Sequence, residues 1–306
     1  MKKFELTSET KINIFGKKLF RIKALISFAD VEAGETGGWV EKEGNVNQSG
    51  NAWVYGDAMV YGNAEVSGDA KVSGDAKVYG DAEVSGNAKV YGNAKVYGDA
   101  MVSGDAKVYG NAEVYGDAMV YGDAKVYGDA EVSGNAKVYG DAKVYGNAEV
   151  YGDAMVYGDA KVYGDAMVYG NAKVSGDAMV SGDAEVSGNA KVYGDAKVYG
   201  DAMVSGDAKV SGDAEVSGNA KVYGDAMVYG DAMVYGDADY TTIHGFGTQF
   251  RTTTFFRCKD KKVRVACGCF FGTIPEFREQ VKNTRKGKIA EEYLMIADLM
   301  ENHFEK

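Results

Sequence analysis

The 306-residue chain is short of proline, histidine and cysteine, with one, two and three copies beside 42 glycines. Collagen and disordered low-complexity chains combine glycine with proline, so glycine without proline indicates a periodic fold that needs one glycine per turn. The cysteines cluster within residues 258–269, which excludes a disulfide framework and suits a reducing compartment. The sequence has no apolar run long enough to span a membrane and no leader pattern after Met1, so we expect a cytoplasmic protein that makes no membrane contact.

Charge is unevenly distributed along the chain. The net charge of −11 combines −16 over residues 49–240 with +1 over residues 1–48 and +4 over residues 241–306. An acidic middle and a mildly basic tail indicate different partners for the two parts. We predict three domains with these bounds: an N-terminal β cap, a repeat domain and a C-terminal capping and binding module.

A six-residue unit recurs without insertion from Ser49 to Tyr240: Tyr or Ser, Gly, Asp or Asn, Ala, a variable residue, and Val. Ala and Val lie two positions apart, so an extended segment turns both inward and the variable residue outward. Gly accepts positive φ and Asp or Asn favours turns, so the remaining residues form a corner. Three corners close a triangular coil of 18 residues. The pattern predicts an all-β solenoid with a small N-terminal β cap and a C-terminal ββαα module.

An aliphatic residue, a small residue two positions before it and a turn make this unit resemble the hexapeptide-repeat left-handed β-helix proteins. The resemblance covers nearly two thirds of the chain and implies a left-handed β-helix. A right-handed solenoid of the bactofilin kind, with units of similar length, stays the alternative. The sequence around Trp39 and Trp53 and the Cys-Gly-Cys-Phe stretch at 267–270 resemble uncharacterised bacterial and prophage repeat proteins, which implies a phage-associated setting and no particular chemistry.

The absence of histidine from the repeat argues against acyltransferase activity. Many hexapeptide-repeat proteins are acyltransferases, whose chemistry needs a histidine base on a coil. His244 and His303 both lie outside the repeat, so we expect neither a transferase nor a histidine-ligated metal site. We therefore predict a non-enzymatic protein without cofactor or metal. Enzymatic activity stays an alternative for the C-terminal module alone.

Residues 18 positions apart stack into columns outside the predicted coils. Lysines from Lys71 to Lys161 form one column, which runs beside an Asp column from Asp105 to Asp177. A further column holds five tyrosines. The plain interpretation is a solvated, charge-interleaved face with ordinary cross-strand packing. Alternatively, the tyrosine ladder binds a partner, or the Asp rows imitate nucleic-acid phosphates. The tyrosines are Tyr91, Tyr109, Tyr127, Tyr145 and Tyr163.

The ends of the repeat need covers, because an open solenoid end exposes unpaired strand edges. Residues 11–22 predict a hairpin about Gly16 and Lys17, and residues 30–41 predict a glycine-punctuated turn into the first coil. The N-terminal segment is therefore expected to cap one end.

The C-terminal segment changes character. Residues 250–258 and 263–271 predict a hairpin with its turn centred at 260–261. The Thr-Ile-Pro-Glu stretch at 273–276 predicts a capping box that opens a helix, and residues 288–303 predict a second amphipathic helix.

This hairpin carries the candidate binding site. Pairing about the predicted turn sets two arginines opposite each other and two lysines opposite each other, and opposed like charges cost stability. Such a cluster favours an acidic protein partner or, with its aromatic neighbours, single-stranded nucleic acid; an ordinary charged face is the competing interpretation. The pairs are Arg257 with Arg264 and Lys259 with Lys262, adjoined by Phe255 and Phe270.

The same pairing separates Cys258 from Cys267 by about 13 Å along the strands, which disfavours a joint zinc site. Cys267 and Cys269 are interpreted as a buried structural pair. A reactive thiol is the alternative, and His244 is its one candidate base.

Three functional classes follow. We favour a rigid acidic scaffold that displays side-chain ladders and a C-terminal interaction module to a protein partner, as a monomer or a side-by-side homo-oligomer. Nucleic acid is considered at the C-terminal module alone. The alternatives are an inhibitor whose acidic repeat occupies a nucleic-acid-binding protein and a thiol-dependent enzyme in the C-terminal module.

Overall fold

A computed structural model describes residues 2–247 and 251–305. It separates into two compact units, Met1–Tyr169 and Gly170–Lys306, each of which contains part of the repeat. Because residues 248–250 are not among the described residues, the predicted hairpin strand that begins at Phe250 starts outside them.

The N-terminal segment of the first unit forms an antiparallel sheet of β1 (Phe4–Ile12), β2 (Lys18–Ala24) and β3 (Thr36–Val40). The predicted hairpin is confirmed, and its turn includes Gly16 at φ 75°. Part of the predicted glycine-punctuated turn is the strand β3, which also pairs in parallel with the first repeats, Val40 opposite Val60. A 3-10 turn at Glu43–Asn45 follows. Coil geometry thus begins before the repeat itself does.

The repeat unit forms short strands at the variable residue and Val. Every repeat Ala from Ala52 to Ala232 and every repeat Val from Val54 to Val234 is fully buried. In the first unit the strands β4 to β23 are Trp53–Val54, Met59–Val60, Glu65–Val66, Lys71–Val72, Lys77–Val78, Glu83–Val84, Lys89–Val90, Lys95–Val96, Met101–Val102, Lys107–Val108, Glu113–Val114, Met119–Val120, Lys125–Gly128, Glu131–Val132, Lys137–Val138, Lys143–Gly146, Glu149–Val150, Met155–Val156, Lys161–Gly164 and Met167–Val168. In the second unit the strands β24 to β34 are Lys173–Val174, Met179–Val180, Glu185–Val186, Lys191–Val192, Lys197–Val198, Met203–Val204, Lys209–Val210, Glu215–Val216, Lys221–Val222, Met227–Val228 and Met233–Val234.

Strands 18 residues apart pair in parallel within each unit. Lys107 lies opposite Lys125 in the first, and Lys191 lies opposite Lys209 in the second. Successive repeats belong in turn to three parallel sheets, so three repeats close one coil. The β-solenoid fold class and its 18-residue coil are confirmed; the left-handed sense of winding stays a prediction.

Glycine at the corner meets two requirements at once. Gly104 has φ 68°, a backbone conformation that L side chains rarely adopt, and a Cβ atom there would lie 2.9 Å from the amide nitrogen of Gly122 in the next coil. The corner therefore needs glycine both for its own turn and for close stacking.

In the second unit, a 3-10 turn at Asp237–Asp239 leads into an antiparallel sheet of β35 (Tyr240–Phe246), β36 (Arg251–Arg257), β37 (Val263–Cys267) and β38 (Phe270–Thr273). The helices α1 (Ile274–Thr284) and α2 (Gly287–Phe304) follow. The antiparallel sheet and both helices are confirmed, and the sheet has two more strands than the predicted hairpin.

One of these extra strands arises because a predicted strand is broken. A turn at Gly268, with φ 63°, divides residues 263–271 and folds Phe270 back beside Cys267. The predicted capping box at the start of α1 is confirmed: the Thr273 amide donates to Oε2 of Glu276 at 2.7 Å, and the Glu276 amide donates to the Thr273 hydroxyl at 3.4 Å.

The two faces of this sheet have different neighbours. Phe255 and Val265 pack with the helices around Phe277 and Tyr293. On the other face, the Met227 amide of a repeat strand donates to the Thr254 hydroxyl at 3.0 Å, and Ala232 forms a bridge with Cys258. The sheet therefore covers repeat strands of its own unit. No helix in the part of the chain that the structure describes has the length and apolar content to cross a membrane.

Candidate functional site

The register of the β36–β37 hairpin decides where the predicted basic residues point. Arg257 lies opposite Val263, and Arg264 lies opposite Phe256. The loop between them closes when the Cys258 amide donates to the Lys262 carbonyl at 3.0 Å, with Lys261 at φ 62°. The predicted pairings of Arg257 with Arg264 and of Lys259 with Lys262 are therefore wrong by one residue.

A shift of one residue sends the two arginines to opposite faces of the sheet, because side chains alternate along a strand. Arg257 is on the helix face, where Nη2 donates to the Phe304 carbonyl at 2.7 Å and Nε lies 3.5 Å from Oδ1 of Asp239. Arg264 is on the repeat face and donates to Oδ2 of Asp260 at 2.8 Å. The structure therefore contains no cluster of four opposed cations in this described hairpin.

The remaining candidates also separate. Lys259 forms an ion pair with Glu215 at 3.5 Å. Phe255 is fully buried, and Phe270 packs on the core with its ring centroid 5.4 Å from that of Phe277. These rings support the core and do not offer open faces for base stacking.

A groove with a basic wall on its loop side lies between the hairpin loop, the start of α1 and the end of α2, and we call it the basic groove. Its volume is about 440 Å³. Of the six predicted binding residues it contains Arg257 and Lys262. The residues around it are Arg257, Lys261, Lys262, Val263, Thr273, Ile274, Pro275, Glu301, Phe304 and Glu305.

The charges of the basic groove are only partly satisfied. The side chains of Lys261 and Lys262 are exposed and form no ion pair with a described residue. Glu301, by contrast, accepts from Nη2 of Arg278 at 2.6 Å, and this hydrogen bond lowers the pKa of its carboxyl group. The free charge of the groove is therefore cationic on the loop side.

The floor of the basic groove is apolar. Ile274 and Phe304 are each 5% exposed, and they lie beside Pro275 and Val263. Sequence reasoning missed Lys261, Pro275 and Phe304, because nothing in the strand pattern brings the end of α2 beside the hairpin loop.

The cysteines lie in three environments. Cys258 is buried, and burial followed by the nearby Asp231 carboxylate raises the pKa of its thiol to about 12. The prediction that Cys267 and Cys269 form a buried pair is wrong, because the turn at Gly268 leaves Cys267 partly exposed and Cys269 exposed. Cys267 accepts from the Thr253 hydroxyl at 3.1 Å, and both cysteines line a small cavity of about 80 Å³.

His244, the candidate base for a reactive thiol, lines a different cavity of about 440 Å³ beside Lys191 and Lys209. Its Nδ1 atom lies 3.0 Å from the Thr252 hydroxyl. The residues described include no group of three or more His, Cys, Asp or Glu side chains arranged to hold a metal ion.

The predicted tyrosine ladder is a regular stack. Ring centroids from Tyr91 to Tyr163 are 4.8 to 4.9 Å apart, and neighbouring planes lie within 4° of parallel. Because each ring covers the face of the next, only edges and hydroxyl groups point outward. Three further stacks have spacings of 4.9 to 5.0 Å: Tyr61, Tyr79, Tyr97 and Tyr115; Tyr121, Tyr139 and Tyr157; and the pair Tyr151 and Tyr169.

The coils and the terminal module define a class, the β-solenoid repeat proteins. Within that class, the model of one family, described as the YdcK beta solenoid repeat, matches residues 220–236. No curated protein matches the chain. The match thus covers one stretch of the repeat and does not include the residues of the basic groove.

Proposed function

We propose that this protein is a non-enzymatic scaffold whose C-terminal module binds an acidic segment of a protein partner in the basic groove. The repeat supports a structural role, because its interior is filled by Ala and Val side chains that are fully buried in both units. The phage or prophage setting stays a prediction of the family resemblance.

The observation that carries this proposal is the pair of unpaired lysines beside an apolar floor. A carboxylate that reaches Lys261 and Lys262 gains charge-assisted hydrogen bonds, which are stronger than those between neutral groups. A neighbouring apolar side chain of the partner gains burial against Ile274 and Phe304. The groove therefore suits a peptide segment that places acidic residues next to a hydrophobic one.

Two features favour a peptide over nucleic acid. Glu301 and Glu305 line the groove beside the lysines and repel a continuous polyanion. Phe255 and Phe270 are occupied by the core, so the stacking platform that single-stranded nucleic acid uses is missing from the predicted site.

The other two classes receive less support. Asn side chains interleave with several Asp columns, as where Asn111 donates to Asp129 at 2.8 Å, which dilutes a phosphate-like row. Cys258 is held as a neutral thiol, and His244 and the pair Cys267 and Cys269 line separate cavities. A decoy or a thiol enzyme would have to work against these features.

The test is capture of partners from a lysate of the producing cells by immobilised full-length protein. Lys261→Glu with Lys262→Glu should abolish the capture of acidic partners and weaken binding of the identified segment about 50-fold, since two attractive charges become repulsive.

The matched control is Lys282→Glu with Lys286→Glu, two exposed lysines of the same module outside the groove. It should retain wild-type capture. Equal loss in both variants, unchanged capture in the first, or tight binding of a labelled single-stranded oligonucleotide by the wild type would each contradict the proposal.

A further inference from the structure

We infer that one face of the first unit pairs with the same face of a second copy of this chain, with the two solenoid axes parallel. This charged face is a surface of four successive coils and is independent of the basic groove. It consists of three columns: Asp105, Asp123, Asp141 and Asp159; Lys107, Lys125, Lys143 and Lys161; and Tyr109, Tyr127, Tyr145 and Tyr163.

The columns follow from the repeat itself. Within one coil Ala106 and Val108 are fully buried, so Asp105, Lys107 and Tyr109 share the outer surface. Parallel pairing then sets each lysine directly opposite the next, as Lys125 opposite Lys143. The order across the face is therefore Asp, Lys, Tyr in every coil.

The charged face is also the most regular part of the solenoid. Among the described repeat strands, those that extend to four residues are Lys125–Gly128, Lys143–Gly146 and Lys161–Gly164, and all three lie on this face. Their pairing continues through the tyrosines, whose rings repeat at 4.9 Å. The face is thus an array with a fixed period.

The lysine column is not neutralised by direct contacts. Like charges opposed across strands destabilise a sheet. Elsewhere in this unit two repeat lysines are paired, Lys71 with Asp30 and Lys95 with Glu113, each at 2.6 Å, whereas Lys77, Lys89 and Lys137 form no ion pair with a described residue. None of the four lysines of the charged face forms an ion pair with a described residue.

A complementary partner has to offer anions at the same period. Phosphates of duplex DNA rise about 3.4 Å per nucleotide along each strand, against about 4.8 Å per coil, so they fall out of step within the four coils. Carboxylates with the matching period are present in the Asp column of this same face. A second copy therefore supplies the partner array without any mismatch.

Symmetry decides the orientation. A two-fold axis parallel to the solenoid axis, running between the Asp and Lys columns, sets each Asp column opposite the Lys column of the other copy. A two-fold axis perpendicular to the solenoid axis sets like columns opposite each other and is repulsive. Only the parallel arrangement matches all four coils.

The face is small, about 20 by 13 Å from its four coils and five-residue width, which is well below the ~800 Å² per partner of stable complexes. Association therefore depends on charge and should be modest and salt-sensitive. Sedimentation equilibrium of the full chain should show a dimer in about 20 mM salt whose dissociation constant rises at least about tenfold in about 500 mM salt.

Two variants use residues that the same columns already accept. Changing the four lysines to Glu makes an anionic face, and Glu215 occupies an equivalent position in another coil. Changing the four Asp residues to Asn makes a cationic face, and Asn87 occupies that position. We expect each variant alone to sediment as a monomer and an equimolar mixture to form a heterodimer. As a matched control, Lys173, Lys191 and Lys209 are changed to Glu.

The outcomes separate cleanly. Dimerisation of the wild type and of the control variant, with loss in each charge variant and recovery on mixing, supports the inference. A wild type that is monomeric up to about 100 μM in low salt, or an anionic variant that still dimerises, overturns it. Fluorophores at the N-termini should show strong energy transfer in the dimer, and an intact dimer without transfer overturns the parallel arrangement.

Discussion

The repeats of residues 51–169 and those of residues 170–236 have the same interior and different exteriors. In both, the inward Ala and Val side chains are fully buried. The residue before the corner glycine is Tyr in 15 of 20 repeats of the first stretch, whereas it is Tyr in 5 of 11 repeats of the second and otherwise Ser. We call them the tyrosine-rich and the serine-rich repeats.

Spacing, rather than number alone, separates the two exteriors. No two tyrosines of the serine-rich repeats are 18 positions apart, so none of them can stack on another within that stretch. Among the residues that the structure describes, all the regular ring stacks lie in the tyrosine-rich repeats. The interior of a β-solenoid thus specifies the fold, while its outer columns are free to differ and to carry specificity.

The largest expected effect tests whether the interiors are equivalent. Gly104→Ala and Gly206→Ala, one from each stretch, have φ of 68° and 69°, and each new Cβ would lie 2.9 Å from the amide nitrogen of the next coil. Strain and clash together should lower local stability by about 2 kcal/mol in both. Native-state hydrogen exchange of the neighbouring amides measures this loss.

Gly224→Ala separates the two contributions, because Gly224 has φ 66° and a Cβ atom there meets nothing within 4 Å. It should cost about 1 kcal/mol, the strain alone. If Gly104→Ala and Gly206→Ala differ by more than that amount, the interiors are not equivalent.

A smaller effect tests the exteriors. Tyr127→Ser removes a ring stacked at 4.8 Å and 4.9 Å on its two neighbours, and should destabilise its coil by about 1 kcal/mol. Tyr193→Ser removes a ring that is 41% exposed and has no stacked neighbour among the described residues, and should cost at most about 0.3 kcal/mol. Equal losses in hydrogen exchange would show that stacking adds nothing.

The repeat and the C-terminal module differ in how far their structure could be predicted. In the repeat, one residue pattern decides inward and outward directions for every coil, so burial of Ala and Val and the column of Tyr91 to Tyr163 followed directly. The hairpin after Arg257 depended on one loop residue. Lys261 adopts φ 62°, and a lysine in a sequence does not predict a positive φ. The loop that Lys261 completes shifts the strand register by one residue, which places Arg264 on the other face of the sheet.

The basic groove could not be predicted from the sequence for a related reason. Its floor joins Ile274 at the start of α1 to Phe304 at the end of α2, and only the packing of the helices on the sheet brings them together. Local patterns located both helices and their buried faces. They carried no information about which loop the helix ends approach.

The smallest expected effect separates stacking from hydrogen bonding within the tyrosine-rich repeats. Burial, and after it a hydrogen bond in which the Tyr97 hydroxyl donates to Glu113 at 2.9 Å, raises the pKa of Tyr97. Burial alone raises the pKa of Tyr109, which lies in another stack. Glu113→Gln should therefore lower the pKa of Tyr97, still leave it above the ordinary value of about 10, and leave that of Tyr109 unchanged.

The sign of the linked stability follows from these directions. A pKa raised by folding stabilises the protein fully below the unfolded value near 10, and this stabilisation is lost as pH rises toward the folded value. Glu113→Gln should make the loss above about pH 10 slightly shallower. NMR titration of the two rings measures both values in one sample. An unchanged Tyr97 would mean that the carboxylate contributes nothing and that burial within the stack accounts for the whole shift.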